Sequence, residues 1–319
     1  MSREVHVRFW ESVGVRFPRA TQLPLYRQEA IFERTGHAIS RSTLAQWVGE
    51  CGAQLQPLVD ALTAELLRQP VLHADETPVA MLKPTGQRDG KTHRAYLWSY
   101  CSTQFSSLRA VVFDFADSRG GQHARDFLGL PGTPGKPAWQ GRLVCDDFAG
   151  YKACFELGVI EAGCMAHARR KFHELWANHG SQVGEQALKF FGQLYEVERT
   201  AANADSTIRL EARKTARPLA DALHQWLRQQ RQRVPDGSAT ARAIDYSLKR
   251  WAALTRYLDD GDLPIDTDVF DKRFRYVPFA AGVAPRAGRR SFHPATKRRY
   301  SVSACSSHAR SWSRTVFRL

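Results

Sequence analysis

Apolar and polar positions fall into different rhythms along the chain. From Leu25 to Thr35 the spacing is helical, and Gly36 stops it. Ser40 and Ser42 offer N-caps for a second helix, STLAQWVGECGAQLQPLVDALTAELL, expected to be interrupted near Gly52 or Pro57. A short helix, a Gly-containing turn and a capped helix resemble a helix-turn-helix. The pattern alone favours an ordinary helical hairpin with Leu44, Trp47 and Val48 as core. A β-rich block follows. Val71–Ala74, Ala95–Cys101 and Ala110–Phe115 are rich in β-branched and aromatic residues, with Gly, Pro and Lys clusters between them. QHARDFLGL reads as a short helix, PGTPGKPAWQG as a loop, and Leu143–Cys145 as a fourth strand running into Asp146 and Asp147. Three strands, a helix and a further strand predict a mixed sheet with helical cover over 71–164.

From Ala166 to about Asp260 every segment has helical spacing, and Gly261 and Pro264 end the last of them. Trp176, Trp226 and Trp251 sit in these patterns as expected core. The end of the chain is different. It is rich in Ser and Arg, lacks helical periodicity, and has no acid after Asp271. Five stretches are thus expected: a weakly structured lead-in (1–22), a helical DNA-binding-like segment (23–69), an α/β core (70–165), a helical insertion (166–262) and an aberrant basic tail (263–319).

Charge sharpens the picture. The chain holds 46 Lys and Arg against 32 Asp and Glu, a net +14, which favours a polyanionic partner, nucleic acid above all. Twelve of those cations lie in 272–319, so the body is nearly neutral. The tail reads either as a basic arm for phosphates or as a shifted coding frame, and its abrupt onset after residue 266 favours the second. Six cysteines without a CxxC pair or framework spacing imply reduced thiols. With no signal-type apolar run near the start and no stretch of membrane-spanning length, a cytoplasmic protein is expected.

Among candidate chemical groups, Asp75 and Asp146 stand out because each directly follows a short apolar strand. Acids in such places are usually turn formers or caps. Here the fold could bring both to one end of adjacent strands, where two carboxylates can hold divalent cations. Magnesium suits an all-oxygen site of this kind. Cys164 and His167 have helix-compatible ligand spacing, but without a second pair a structural role is the better reading. Arg169, Arg170 and Lys171 form a basic run that could meet a DNA backbone or be a solvated face. Its position after the acid-bearing strands favours DNA.

The runs LPLYRQEAIFERTGHAISRSTLAQWV, HADETPVAMLKP, GKTHRAYLWSYC, LVCDDFAGYK, GCMAHARRKFHELW and IDYSLKRWAALTRYLDDGDLPID resemble transposases of the insertion-sequence-66 family. The likeness covers roughly residues 23–266. It implies a ribonuclease-H-like mixed sheet with flanking helices and a large helical insertion. It also implies an Asp-Asp-Glu triad, a divalent metal (magnesium, with manganese as substitute), and strand cleavage and transfer at transposon ends.

Mapped residue by residue, the resemblance places the first catalytic acid on Asp75 and the second on Asp146, with Asp147 where the family often has Gly. Asp271 stands where the family has its catalytic Glu; Thr267 and Asp268 replace two Asn, and Tyr276 replaces a Pro. Asp271 is then either a substituted third ligand or a coincidence of a shifted frame, and the altered surroundings favour coincidence. The family's cysteine-rich start and its C-terminal helix have no counterpart in the sequence, which looks truncated or frame-shifted at both ends. The implied partners are double-stranded DNA (transposon ends and target), a second copy in a homo-oligomer, and accessory proteins of the same element. No membrane partner is expected, and nucleoid association would come with DNA. With its third acid and last helix altered, the chain is expected to be inactive or nearly so in strand transfer. A non-catalytic DNA-binding remnant is the alternative.

Overall fold

The computed structural model describes residues 25–82, 92–131, 137–267 and 314–317. Asp271, the lead-in and most of the basic tail lie outside the described residues. The chain divides into two compact units, one of residues 1–51 and 275–300, the other of 52–274 and 301–319.

In the first unit, α1 (Leu25–Arg34) ends at a turn where Gly36 takes φ +84°, a left-handed conformation that a side chain would resist. The second helix, α2 (Arg41–Leu66), starts as its sequence suggests: Ser40 Oγ accepts the Thr43 N–H at 3.2 Å. Glu29 joins the two helices, accepting from the Arg41 backbone N–H at 2.8 Å and from its guanidinium at 3.0 and 3.2 Å. Of the three expected core positions only Leu44 is buried. Trp47 and Val48 are about half exposed, because they lie on the solvent side of α2. The expected interruption is also absent. The helix runs through Gly52 and Pro57, because the turns beyond Pro57 are held by packing of Val59 and Leu66.

The second unit is built on a mixed sheet. Strand β1 (Val71–Leu82) pairs antiparallel with β2 (Thr92–Ser102), and β2 with β3 (Val111–Ala116). After the short α3 (Gln122–Phe127), strand β4 (Arg142–Cys145) pairs parallel with β1 on its other side. A 3-10 turn (Ala149–Tyr151) and α4 (Lys152–Glu156) lead to β5 (Ile160–Gly163), parallel to β4. The order β5-β4-β1-β2-β3, extended at β3 by Arg314–Phe317 as β6, is that of an α/β fold of ribonuclease-H-like type. Two expectations need correction here. First, β1 does not stop before Asp75 but runs on to Leu82. It keeps its β2 ladder after β4 has ended, and Pro78 is tolerated because that side of the strand has become an edge. Second, a fifth strand follows Asp146, too short and too polar for periodicity to reveal.

Helices cover both faces. On one, α5 (Met165–His179) lays Met165, Ala168, Phe172 and Leu175 against Val71, Val144 and Ala162 of the sheet. Behind it pack α6 (Gln182–Thr200), α8 (Ala216–Arg231) and α9 (Ala239–Lys249), with α7 (Ser206–Arg213) between the first two in sequence. The segment expected to continue as one helix breaks at Arg250 before α10 (Trp251–Thr255). Trp226 and Trp251 are partly buried against this core, whereas Trp176 is about half exposed, on the outer side of α5. The opposite face of the sheet carries α3, α4 and the end of α2, with Phe127, Trp139 and Tyr151 fully or nearly buried.

Candidate active site

Side chains on a strand alternate between faces, and the two hydrophobic cores label the faces here. Leu72 and Ala74 of β1, with Leu143 and Cys145 of β4, belong to the core that includes α3 and α4. Val71 and Val144 belong to the core under α5. By this parity Asp75 and Asp146 both project to the α5 face. The parallel register runs Val71 with Arg142, Leu72 with Leu143 and His73 with Val144. Two residues past the last of these pairs come Asp75 and Asp146, so a continued register would set them opposite each other. Both acids are half-buried. Asp146 directly follows β4, at its carboxyl end, and Asp75 lies within β1 just past the last pair with β4. In open α/β sheets the carboxyl ends of the strands are the usual place for a ligand.

Asp146 is fixed by the turn it begins, its Oδ1 accepting the Phe148 N–H at 2.9 Å. A cavity of about 350 Å³ opens beside it, lined among others by Arg119, Asp147, His167, Arg170, Lys171 and Tyr246. Arg170 and Lys171 of the expected basic run therefore share a cavity with Asp146, whereas Arg169 is exposed and outside its lining. Asp75, one strand over, is not part of that wall either. The Lys171 ammonium sits 4.4 Å from the centre of the Tyr246 ring. Arg250, almost wholly buried, donates to Glu161 Oε1 at 2.6 and 3.1 Å and to the Tyr246 hydroxyl at 3.1 Å, and lies 3.5 Å from Asp147.

Sequence reasoning missed the group behind the two acids. Glu76 follows Asp75 and points to the opposite face, where its side chain is 1% exposed. It is held by Arg119, through Nε at 3.0 Å and through Nη2, and by the Tyr151 hydroxyl, which donates at 2.8 Å. Burial raises the Glu76 carboxyl above the usual range, opposed by the Arg119 hydrogen bond, reinforced by the charge on Asp146 and opposed again by Tyr151. The only signal for Glu76 was its place beside Asp75. Nothing in its turn-like surroundings marked Arg119.

The donor set is hard oxygen: two half-buried carboxylates on one face, which suits magnesium or manganese better than a thiolate-seeking ion. Among the described residues no three His, Cys, Asp or Glu come together as a metal cluster. Cys164 is otherwise engaged. Its thiol is fully buried, bonded to Thr267 Oγ1 at 3.2 Å, and pushed up to about 11 by burial. Thr267 lies beside Cys164, which directly follows β5.

A mixed sheet in this order places the protein among α/β proteins of ribonuclease-H-like type. The particular family follows from comparison. Residues 19–280 match the Transposase IS66 family, and the chain belongs to it. That span includes Asp271 and reaches beyond residue 266, where the change of composition begins. Three proteins of Sinorhizobium fredii (strain NBRC 101917 / NGR234) are similar along most of it. The uncharacterized proteins y4qI, y4hP and y4jD are 34%, 30% and 29% identical over 80%, 80% and 81% of the chain. The chain spans about half the length of these curated relatives, 48%, 48% and 51% respectively. No solved structure matches. No helix among the described residues is long and apolar enough to cross a membrane.

Proposed function

We propose that this domain carries the catalytic acids of a DNA transposase, with Asp75 and Asp146 as carboxylate ligands of a divalent cation, magnesium or manganese. The observation that supports this reading is that the two acids take the same face of the sheet by strand parity and each come two residues past the last pair between β1 and β4. The cation would neutralise charge building on the phosphoryl group during cleavage and joining of DNA. The chain's own part is positional. The Asp146 turn aims one carboxylate, β1 aims the other, and Arg170 and Lys171 offer cations to the phosphates of a strand entering the cavity. Arg169 is exposed on the same helix and extends that basic surface. Asp271 is the candidate for the third acid, supported by its place within the matched span. Double-stranded DNA is the substrate class, and a second copy of the chain and accessory proteins of the same element are its candidate partners.

The assay is metal-dependent cleavage and joining of transposon-end DNA, comparing the unmodified chain with Asp271→Glu, Asp75→Asn and Asp146→Asn. The unmodified chain should be weak or silent, because an Asp in place of Glu is one methylene short and a misplacement of about 1 Å can cost about 10²-fold. Asp271→Glu should gain activity, and either Asn substitution should abolish it. Robust joining that survives Asp75→Asn would end this reading. A second reading, a DNA-binding remnant without catalysis, is favoured by Asp271 standing in place of a Glu. It predicts salt-sensitive DNA binding with no joining by any of the four proteins.

A further inference from the structure

We propose that Glu76, Arg119, Phe148 and Tyr151 form a clamp that positions Asp146 relative to Asp75 and thereby tunes the cation affinity of the pair. The proposal rests on the reading of those acids as metal ligands. Its core is a chain of contacts linking the two strands behind the site. Glu76 is the residue after Asp75, so wherever its carboxylate is anchored, the backbone of Asp75 is anchored too. Arg119 and Tyr151 anchor it from two different segments, the loop before α3 and the turn that follows Asp146. The Arg119 guanidinium also lies 3.9 Å over the centre of the Phe148 ring. Phe148 in turn donates its backbone N–H to the Asp146 carboxylate.

The aromatic packing admits little play. Phe148 meets Tyr151 edge-on with ring centres 5.8 Å apart, and Trp98, the cross-strand partner of Glu76, lies 6.1 Å from Phe148 and 5.9 Å from Tyr151. Two glycines let the segments approach. A Cβ on Gly121 would stand 2.3 Å from the Gly150 carbonyl oxygen, and one on Gly150 would stand 2.2 Å from the Phe148 ring. The first approach brings the Arg119 loop against the Asp146 turn, and the second lets the Phe148 ring fold back over that turn. Arg is suited to the role because its planar fork can pair with a carboxylate while its face stacks on a ring. Lysine could supply only the charge.

These are positioning residues, and the test reads position separately from chemistry. Amide hydrogen exchange of Phe148 is compared in the full chain and in Arg119→Met and Arg119→Lys, alongside amides in the α5 core such as Phe172. The manganese affinity of each protein is measured by calorimetry, with Asp75→Asn as the control for the metal site. The clamp predicts Phe148 exchange faster by about tenfold in Arg119→Met, from a weakened hydrogen bond, with Phe172 unchanged. It also predicts manganese affinity lower by about tenfold or more, in the range typical for residues that orient a metal ligand. Arg119→Lys should fall between. Unchanged Phe148 exchange overturns the clamp, as does exchange that quickens equally at Phe148 and Phe172, which would mark a purely structural role. If the unmodified chain binds manganese no better than Asp75→Asn, the functional reading fails first and the tuning of affinity falls with it, even where Phe148 exchange responds locally.

Discussion

Removing the guanidinium of Arg213 should destabilise the second unit severely, more than any substitution at the exposed basic run of α5. Arg213 closes α7 with its side chain wholly buried. Nε and Nη2 donate to the two oxygens of Glu198 at 2.7 and 2.6 Å, and Nη1 donates to the carbonyls of Tyr257 and Asp260 at 2.8 and 2.6 Å. One side chain therefore satisfies a carboxylate on α6 and two carbonyls at the end of the helical region. Arg213→Met keeps much of the volume but leaves Glu198 without its counter-charge, where it is 11% exposed. Breaking a buried pair by deleting one partner costs about 3–5 kcal/mol, a large part of the roughly 5–15 kcal/mol that holds a domain together. At about 2–4 °C per kcal/mol for a domain of this size, the melting temperature should fall by about 10 °C. Thermal and urea unfolding of the full chain measure it, with Glu198→Gln and the double variant completing a cycle. The double variant should be more stable than Arg213→Met alone, because the stranded charge is gone. A loss below about 1 kcal/mol for Arg213→Met, the scale of an exposed pair, would refute the argument.

Two further outcomes follow from the same geometry and charge. Gly121→Ala should cost about 1–3 kcal/mol, as overpacking does, since its Cβ would meet backbone rather than a side chain that could swing away. Equal melting temperatures for Gly121→Ala and Gly120→Ala, where the new Cβ has ordinary contacts, would contradict it. Deleting 272–319, which removes twelve cations and no acid, should flatten the salt dependence of DNA binding. Each lost phosphate contact should reduce the slope by about 0.9 for duplex DNA, and an unchanged slope would show that the tail does not touch it.

Much of the site's framework was legible in the residues. Asp75 and Asp146 each follow an apolar run, and the alternation of those runs between the two cores fixes the face each acid takes. What periodicity could not show were features supplied by distant partners. Glu76 is paired with Arg119, 43 residues on, and with Tyr151, 75 residues on, neither marked by local spacing. The fifth strand is only IEAG, and its Glu161 reads as polar until Arg250, 89 residues later, is seen to bind it. The same Arg250 sits where one apparent helix becomes α9 and α10. Pro57 misled in the other direction. A proline predicts a break locally, but buried residues beyond it hold α2 as one helix. The aromatic spacing of α5 likewise cannot tell Phe172, buried, from Trp176, about half exposed four residues later.

The central claim, that Asp75 and Asp146 act together as ligands, is tested most directly by manganese binding to the full chain and to Asp75→Asn, Asp146→Asn and Asp147→Asn. A saturable site present in the unmodified chain and in Asp147→Asn, and lost in the other two, is the predicted result. Binding that persists in both Asp75→Asn and Asp146→Asn, with the fold intact by circular dichroism, would contradict it.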